Sequence, residues 1–424
     1  MTSGWRAAIG SLLSLLLTTQ LTTAVIAVTP KPRLPLSSSS RWILDSAGAR
    51  VKLRCINWAA HLETNIPEGL HKQSMDYVAD WIATEGFNCV RLTYSIDMTK
   101  QLDLPVRDSF VAAARSAQVH EADLLALYNG AVARNPFLAN ATLIDVLDRT
   151  VATLWDRGVM TILDNHVSKA TWCCDLEDGN GWWSDAPVYA ASNSRFFDHA
   201  DWLAGLQTMA RWAAGRPGVA AMSLRNEMRA TLSQIAFSSG TWYRRMEEAA
   251  ALVHAANGDV LVIVGGLNGG TDLMPLRSVA MDTTAWAGKN VWEAHVYPFT
   301  PTTPSFGICS LLQLQIGGLF GFVLEQNRPY TGPLFLSEFG VGMTDGPNDG
   351  LDDEAYAYLS CLVQWLEGND ADWALWAVQG SYYVREGRVN VDESWGAMDR
   401  DWKGWRNGAF KGMLGSMFDV QQGP

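Results

Sequence analysis

The chain has 424 residues, and 48% of them are hydrophobic, which is enough apolar material for a large core. This length fits two or three average domains, or one large α/β barrel with insertions. The formal net charge is −12 and the sequence has no long basic run. Both features argue against nucleic acid or an anionic membrane as the main partner.

The N-terminus has the order of a secretory signal: Arg6, then the apolar stretch AAIGSLLSLLL, then small residues up to TTAVIA. The apolar part is too short to span a bilayer. We therefore predict a signal peptide over residues 1–27, cleaved after Ala24 or Ala27, and a secreted, extracellular protein. A disordered or anchoring N-terminus is the alternative. The Pro/Ser-rich stretch over residues 28–40 predicts a short linker.

Six cysteines in a chain predicted to be secreted permit disulfides, and their spacing matches no zinc-binding pattern. Cys173 and Cys174 are neighbours that we expect to pair poorly with each other, so at least one should join its loop to a distant segment. Cys55 and Cys89 lie in apolar, strand-like runs and are interpreted as buried thiols. Asn140, in the sequon NAT, predicts a glycosylated surface position.

From residue 41 the sequence RWILDSAGARVKLRCINW predicts a β-hairpin that turns at Ser-Ala-Gly and leads into a strand. Beyond it, apolar runs alternate with polar loops and amphipathic stretches such as SMDYVADWIATEG and WLAGLQTMARWAAG. Eight apolar runs predict strands: VKLRCINWA (51–59), NCVRLTYS (88–95), VMTILDNHV (159–167), VAAMSLRNE (219–227), VLVIVGG (260–266), NVWEAHVY (290–297), PLFLSEFGV (333–341) and DWALWAVQG (372–380).

Eight such units in one chain predict an α/β protein, a single (β/α)8 TIM barrel over residues 41–420. A doubly wound sheet also alternates in this way, but it rarely carries polar residues at the carboxyl end of nearly every strand. In a barrel these ends meet at one rim, so residues far apart in sequence share one pocket. The residues at or near predicted strand ends are Arg91, His166, Asn226, Glu227, His295, Tyr297, Glu338 and Trp376.

Glu227 and Glu338 are about three βα units apart, which places them on the fourth and seventh strands, facing each other across the barrel mouth. Two opposed carboxylates suit glycoside hydrolysis, in which one donates a proton to the leaving oxygen and the other attacks the anomeric carbon. A pair of structural acids in salt bridges is the alternative. We expect Arg91 to lie beside Glu338, lower its pKa and keep it an anion.

His166 and His295 could be metal ligands, but no HExxH motif or Cys/His cluster accompanies them. Contacts to sugar hydroxyls and orientation of the carboxylates suit them better, and Tyr297 could donate a hydrogen bond to the nucleophile. The segment GGLNGG (265–270) lacks the GxGxxG order, so we expect a tight loop, with Asn268 facing the pocket, and no dinucleotide site. We predict neither a metal nor a cofactor.

Two other segments leave alternatives open. The stretch WCCDLEDGNGWWSD (172–185) predicts either a subsite wall formed through Trp182 or Trp183, or a disulfide-tied surface loop. The stretch GICSLLQLQIGGLFGFVL (307–324) predicts a buried helix or a lid that packs on the barrel. Trp376 is a candidate platform beneath a sugar, with core packing as its alternative.

Together these residues resemble glycoside hydrolase family 5, the cellulase family of the (β/α)8 glycosidases. The resemblance covers roughly residues 41–418. It rests on strand-end motifs that occur in the family's order: Arg91, His166, Asn226-Glu227, His295-Val296-Tyr297, Glu338 in SEFG, and Trp376. The segments CINWAAHLE, EGFNCVRLTYS, WCCDLEDGNGWW and LRNEMR are similar to a plant and fungal cellulase-like branch. The family's common Asn-Glu-Pro is Asn226-Glu227-Met228 here, which leaves the substrate preference open.

The resemblance implies retention of anomeric configuration, with Glu227 as acid/base and Glu338 as nucleophile. We expect a monomeric β-glycosidase of the endo-β-1,4-glucanase type, whose partner is a β-linked glycan and whose Asn226 holds the sugar 2-hydroxyl. An exo-acting β-glucosidase or diglycosidase is an alternative, because the insertions at 96–140 and 300–330 are long enough to close one end of the cleft. A barrel that binds polysaccharide without cleaving it is another.

Overall fold

The part of the chain that the structure, a computed structural model, describes is Met1 together with residues 31–300 and 307–424. The predicted signal peptide therefore lies outside the described residues, apart from Met1. Lys31–Pro424 forms one unit. Within the described ranges, no helix is long and apolar enough to cross a membrane.

An antiparallel hairpin precedes the barrel: β1 (Ser37–Ser39) pairs with β2 (Trp42–Leu44). The predicted turn at Ser-Ala-Gly is also present. It is closed by an antiparallel bridge between Leu44 and Arg50. Ser37–Ser39, which we expected in a linker, is thus part of a folded hairpin. The physical reason is burial, because Leu36 and Ile43 are fully buried and pack against side chains inside the barrel.

Eight parallel strands then close into a barrel, which confirms the predicted (β/α)8 fold. The strands follow one another around the barrel in chain order, and the last pairs with the first. All eight correspond to the predicted apolar runs. They are β3 (Arg54–Trp58), β4 (Cys89–Ser95), β5 (Met160–Val167), β6 (Val219–Ser223), β7 (Leu261–Gly265), β8 (Asn290–His295), β9 (Leu334–Phe339) and β10 (Asp372–Leu375).

Nearly every residue of these strands is buried, because helices cover the outside of the barrel and side chains fill its inside. This double burial explains why the strands appear in the sequence as continuous apolar runs. Each strand contributes to one cluster inside the barrel, which includes Cys55, Cys89, Ile162, Ala221, Ile263, Val291, Phe335 and Ala374.

The helices that connect the strands begin where a side chain can cap them. Ser74 and Asp198 accept hydrogen bonds from the backbone of the first turn that follows each of them, and Thr142 forms a capping box with Asp145. The helices are α1 (Met75–Thr84), α2 (Ile96–Thr99), α3 (Val106–Ser116), α4 (Glu121–Arg134), α5 (Leu143–Asp156), α6 (Ala191–Ser194), α7 (His199–Ala213), α8 (Ile235–Ala256), α9 (Leu267–Gly270), α10 (Pro275–Ser278), α11 (Cys309–Leu319), α12 (Asp353–Asn369) and α13 (Phe410–Met413).

Two long insertions and one hairpin are added to this barrel. The insertion between β4 and β5 contains α2, α3 and α4. Asn140, at the end of this insertion, is exposed, so the sequon is accessible, and its glycosylation remains a prediction. In the segment 307–324, α11 buries Leu312 and Ile316 but leaves Leu314 exposed, so it packs along one side only and is not the buried helix of one of our two interpretations. After the last barrel strand, β11 (Ser381–Arg385) and β12 (Arg388–Asp392) form an antiparallel hairpin at the carboxyl rim.

Our expectations for the cysteines were wrong. Cys55 and Cys89 are not free thiols, because they face each other in register on the adjacent strands β3 and β4 and form a disulfide. A second disulfide joins Cys309 of α11 to Cys361 of α12. No cysteine is then left for a distant bond, and Cys173 and Cys174 are bonded to each other.

Candidate active site

The predicted site residues converge on one cavity of about 310 Å³ at the carboxyl rim of the barrel. Of these residues, Glu227, Glu338, His166, Tyr297 and Trp376 line the cavity directly. Arg91, Asn226 and His295 lie behind the lining and hold it in place. The remaining lining residues are Trp172, Cys173, Cys174, Phe299, Arg385, Glu393 and Trp395.

Glu338 lies in β9 and is held through both carboxylate oxygens. Arg91 Nη1 donates to Oε1 at 2.7 Å, and the Tyr297 hydroxyl donates to Oε2 at 2.9 Å. Burial raises the pKa of Glu338, while the positive charges of His295 and Arg91 act in the opposite direction. The predicted position of Arg91 beside Glu338 and its lowering effect on the pKa of that carboxyl are confirmed, but desolvation is the larger effect, so the pKa as a whole is raised.

Arg91 is the centre of a buried charge network in β4. Its guanidinium pairs with Asp164 at 2.9 Å and Glu293 at 3.0 Å as well as with Glu338. These three carboxylates raise the pKa of Arg91 although burial opposes the charge. Burial raises the pKa of Asp164 to about 7, whereas Arg91 and His295 lower that of Glu293 to about 2 against the effect of its burial.

Glu227 lies beyond the end of β6, in the loop that follows Ser223. Its backbone has φ of 36°, a conformation that a non-glycine residue rarely adopts and that clusters at functional sites. Its Oε1 accepts from His295 Nδ1 at 3.0 Å, and Arg229 lies 3.8 Å from Oε2. One oxygen of Glu227 and one of Glu338 are within 4.8 Å of each other.

His295 ends β8 and lies between the two glutamates. Its Nδ1 is 3.0 Å from Glu227 Oε1 and 3.6 Å from Glu338 Oε2, and its Nε2 is 3.9 Å from Glu293. Burial opposes protonation, but these carboxylates outweigh it and raise the pKa of His295 to about 10. At neutral pH the ring is therefore an imidazolium that carries positive charge between two acids.

His166 has the opposite electrostatic character. Burial and the positive charge of Arg91 hold the pKa of its ring well below the ordinary value, so the ring is neutral. Its Nδ1 donates to Asp164 at 2.6 Å, and Asn226 Nδ2 lies 3.4 Å from Nε2. The ring stacks on Trp376 at a centroid distance of 5.4 Å.

Several neighbours of this site were missed by the sequence analysis. His61, from CINWAAHLE after the first barrel strand, stacks on His166 at 4.0 Å and binds Thr93 through Nδ1. Its Nε2 has no hydrogen-bond partner among the described residues. Position alone could have identified His61, because it is a polar residue that follows a barrel strand at the rim.

The loop 172–185 lines the cavity, but through a different tryptophan from those we considered. Trp182 and Trp183 are buried in the core, at 1% and 0% exposure, whereas Trp172 faces the cavity. Asn268 is exposed, binds Asp272 and is not among the lining residues, so its predicted orientation is wrong.

Arg225 points away from Glu227. Its guanidinium donates to Asn165, Ser168 and the carbonyl of Asn180, and it lies 3.7 Å from the ring centroid of Phe197. The alternation of side chains that would place Arg225 beside Glu227 ends with β6 at Ser223.

Two groups of side chains in the described part of the chain have metal-ligand spacing. The sulfur of Cys173 in the first group is bonded to Cys174 and offers no thiolate. The second group is Glu227, His295 and Glu338, where the protonated ring of His295 competes with a cation. The chemistry of the donor atoms in both groups therefore favours the predicted metal-free site, which remains a prediction.

The barrel with two facing carboxylates at its carboxyl rim defines the class of the protein, a glycoside hydrolase. Within that class, the chain belongs to the cellulase family, glycosyl hydrolase family 5, whose family model matches residues 44–381. This confirms the family that the sequence motifs indicated.

Individual relatives agree with this assignment. A glycosyl hydrolase 5 family protein of Chamaecyparis obtusa is 38% identical over 406 residues, which are 94% of this chain and 68% of that protein. An endoglucanase of Paenibacillus polymyxa is 21% identical over 396 residues, 88% of this chain and 84% of that protein.

Solved structures share the fold. An endocellulase of Pyrococcus horikoshii, in complex with cellotetraose, has a TM-score of 0.69 at 17% identity and covers 92% of this chain and 100% of its own. The catalytic domain of the major endoglucanase of Xanthomonas campestris pv. campestris has a TM-score of 0.67 at 20% identity. It covers 90% of this chain and 99% of its own.

Proposed function

We propose that this hydrolase is a secreted, retaining β-glycosidase of the endo-β-1,4-glucanase type that works by double displacement without a metal or cofactor. The observation that carries the proposal is the approach of Glu227 and Glu338 oxygens to within 4.8 Å. Retaining glycosidases hold their carboxyl groups about 5 Å apart, whereas inverting ones leave about 6.5–9.5 Å for a water molecule.

In the first step Glu338 attacks the anomeric carbon, and the bond from that carbon to the leaving oxygen breaks. Glu227 gives its proton to the leaving oxygen, so the products are a glycosyl ester of Glu338 and a free hydroxyl group. Arg91 and Tyr297 each bind one oxygen of Glu338, which restricts the rotation of the carboxylate before attack.

In the second step Glu227, now a carboxylate, removes a proton from water. The resulting hydroxide attacks the anomeric carbon, the ester bond breaks and Glu338 regains its negative charge. Two inversions at one carbon give net retention. Because Glu227 is the more exposed acid, with 17% of its side chain accessible against 6% for Glu338, it is the better placed to exchange protons with water.

The positive charge of His295 supports the nucleophile. The ring lies 3.6 Å from Glu338, so its charge favours the anionic carboxylate that attacks in the first step, and its Nδ1, 3.0 Å from Glu227 Oε1, orients that side chain. We assign His295 to positioning and charge compensation, because its position between the two glutamates matches that role.

Glycan binding is assigned to residues at the cavity wall and directly behind it. Asn226, behind the lining, offers its amide to the sugar 2-hydroxyl, and the lining residues Trp376 and His166, whose rings stack on each other, supply aromatic surface. The named activities of the Paenibacillus and Xanthomonas relatives and the cellotetraose bound by the Pyrococcus enzyme support a β-1,4-glucan.

A second candidate is exo action on short glycans, and one contact favours it. The guanidinium of Arg385, from the hairpin after the last barrel strand, lies 3.5 Å from the ring centroid of Trp172 in the loop after β5. This contact joins the β11–β12 hairpin to the loop after β5 at the cavity wall, as a closed end of a cleft requires. Sizing the products of cellotetraose and a polymeric β-glucan separates the two modes, since exo action releases one short product from the start.

The proposal is tested with Glu338→Ala and Glu227→Ala, with exposed Glu325→Ala as the control. Both active-site variants should lose about 10³-fold or more in kcat on an aryl β-glycoside. Azide should restore turnover in both, but with different products. Glu227→Ala should give the β-azide after two inversions, whereas Glu338→Ala should give the α-azide after one direct displacement. Full activity of Glu338→Ala would overturn the proposal.

Secretion and the monomeric state are proposals of the same kind. The disulfides and the extracellular endoglucanase relative support secretion. Expression with the native N-terminus should give a protein in the medium that begins at residue 25 or 28, and light scattering should give the mass of one chain.

A further inference from the structure

One wall of the cavity is made by three consecutive residues, Trp172, Cys173 and Cys174. The last two form a disulfide with each other, and Cys174 is partly exposed on the cavity side. Neither cysteine has a place in the mechanism described above. A disulfide between neighbours closes no long loop, so its location beside the two catalytic carboxylates requires another explanation.

This wall is fixed on both sides of the disulfide. On one side, Trp172 packs under the guanidinium of Arg385 at 3.5 Å. On the other side, Arg229 Nε donates to the carbonyl of Asp175 at 3.1 Å, and its Nη2 pairs with Asp178 at 2.7 Å. The two sulfur atoms are therefore held at a defined position in the cavity wall.

The sulfur atoms lie against the side chain of Asn226. Its Nδ2 is 3.4 Å from Cys174 Sγ and 4.0 Å from Cys173 Sγ, while its Oδ1 accepts from Arg91 Nη2 at 2.9 Å. The same Nδ2 also lies 3.4 Å from His166 Nε2. Sulfur is a weak acceptor, so the hydrogen atom that faces the sulfur atoms is oriented but not strongly bound. A sugar hydroxyl, which is a stronger acceptor, can replace the sulfur at little energetic cost.

We propose that the Cys173–Cys174 disulfide is a substrate-binding element of this enzyme. Its polarisable sulfur surface packs against a sugar ring next to the cleavage point, and it keeps the amide of Asn226 oriented towards the sugar when the cavity is empty. This inference rests on the proposed function, because it takes a glycan as the ligand.

The test compares two double variants that each remove one disulfide. Cys173→Ala/Cys174→Ala removes the bond in the cavity wall, and Cys309→Ala/Cys361→Ala removes the bond between α11 and α12. With cellotetraose, the first variant should raise KM by about tenfold, which corresponds to one lost contact, with a smaller change in kcat. The second should keep the wild-type KM even if its melting temperature falls. Equal KM values for all three proteins would overturn the inference.

A chemical experiment covers the case in which the first variant does not fold. A phosphine reductant, itself oxidised to the phosphine oxide with oxygen from water, cleaves an S–S bond to give two thiols. Applied to folded Cys309→Ala/Cys361→Ala, it should reach the partly exposed Cys174 before the buried Cys55–Cys89 bond. KM should rise with the fraction of Cys173–Cys174 reduced, as measured by alkylation and peptide mapping, and an unchanged KM at full reduction would refute the inference.

The two proposals fail in different ways. If the wild type does not hydrolyse cellotetraose, the β-1,4-glucan assignment is wrong, and the same comparison is then made on whichever β-glycan the wild type cleaves. If the wild type hydrolyses its substrate and the loss of the disulfide leaves KM unchanged, only the role of the disulfide is wrong.

Discussion

Arg91 and Glu338 form a buried ion pair across the inside of the barrel, with Nη1 2.7 Å from Oε1. The two residues belong to the second and seventh barrel strands and are joined only because the barrel is closed. The same guanidinium also binds Asp164 and Glu293, so one fully buried cation compensates three carboxylates. The geometry of the proposed catalytic site and the stability of the upper barrel therefore depend on the same side chain.

Arg91→Met should destabilise the fold by about 3–5 kcal/mol, because it leaves the buried carboxylates without their cation. Arg91→Lys should recover only part of this loss, since an ammonium group cannot bind several carboxylates with fixed geometry. Chemical denaturation measures both effects. The control is Arg149→Met, which removes an exposed arginine beside Asp76 and should change stability by less than about 0.5 kcal/mol. Equal losses for Arg91→Met and Arg149→Met would contradict the prediction.

Tyr297→Phe removes the hydroxyl that donates to Glu338 Oε2 at 2.9 Å and leaves the ring in place. A hydrogen bond to a charged acceptor contributes about 1.5–3 kcal/mol, so kcat/KM should fall by roughly 10- to 100-fold. Loss of the donor also removes a stabiliser of the anion, so the pKa of Glu338 should rise and the acidic limb of the pH–rate profile should move to higher pH. Tyr330→Phe, at a partly buried tyrosine whose hydroxyl binds Glu325, is the matched control. An unchanged acidic limb would show that the hydroxyl does not act on Glu338.

His295 should make stability depend on pH on the alkaline side. Its folded-state pKa is raised to about 10, whereas an unfolded histidine has a value of about 6.5. The protonated form therefore stabilises the fold fully below about pH 6.5, and this contribution is lost as the pH rises towards 10. Melting temperatures from pH 5.5 to 10 should show a steeper alkaline decline for the wild type than for His295→Asn. The exposed His120→Asn should follow the wild type, and parallel curves for all three proteins would refute the assignment.

The barrel could be predicted from the sequence because burial on both faces of each strand leaves continuous apolar runs, and because Glu227 and Glu338 lie at or just beyond strand ends, although Arg91 lies inside β4. The network around Arg91 could not. Asp164 and Glu293 are visible as acids within apolar runs, but only the closed barrel shows that both face one guanidinium.

The failures have a shared physical origin at the ends of regular structure. Strand alternation continued through residues 225–227 would place Arg225 on the same side as Glu227, but the strand ends at Ser223 and the alternation ends with it. The Cys173–Cys174 bond lies in an irregular loop, where no periodic pattern indicates which side chains meet. Cys55 and Cys89 meet through the register of β3 and β4, which the predicted runs do not give, because Cys55 is the fifth residue of its run and Cys89 the second of its run.

Gly340 lies directly after the strand that carries Glu338, and it has no room for a side chain. A Cβ atom there would be 2.6 Å from the backbone carbonyl oxygen of Trp376 and 3.4 Å from the ring of Trp395. Backbone cannot move aside as a flexible side chain can, so Gly340→Ala should displace the Trp376 segment and destabilise the fold by about 1–3 kcal/mol.

The same displacement moves a lining residue of the cavity, so Gly340→Ala should also lower kcat/KM by about tenfold or more at a temperature where the variant is folded. Gly408→Ala is the matched control, because a Cβ at Gly408 meets nothing within 4 Å. Comparison of melting temperature and kcat/KM for both variants checks the prediction. Wild-type kinetics in folded Gly340→Ala would show that the position of Trp376 does not limit catalysis. A loss of kcat/KM in Gly340→Ala but not in Gly408→Ala would show that the close approach of the ends of β9 and β10 determines the geometry of the site.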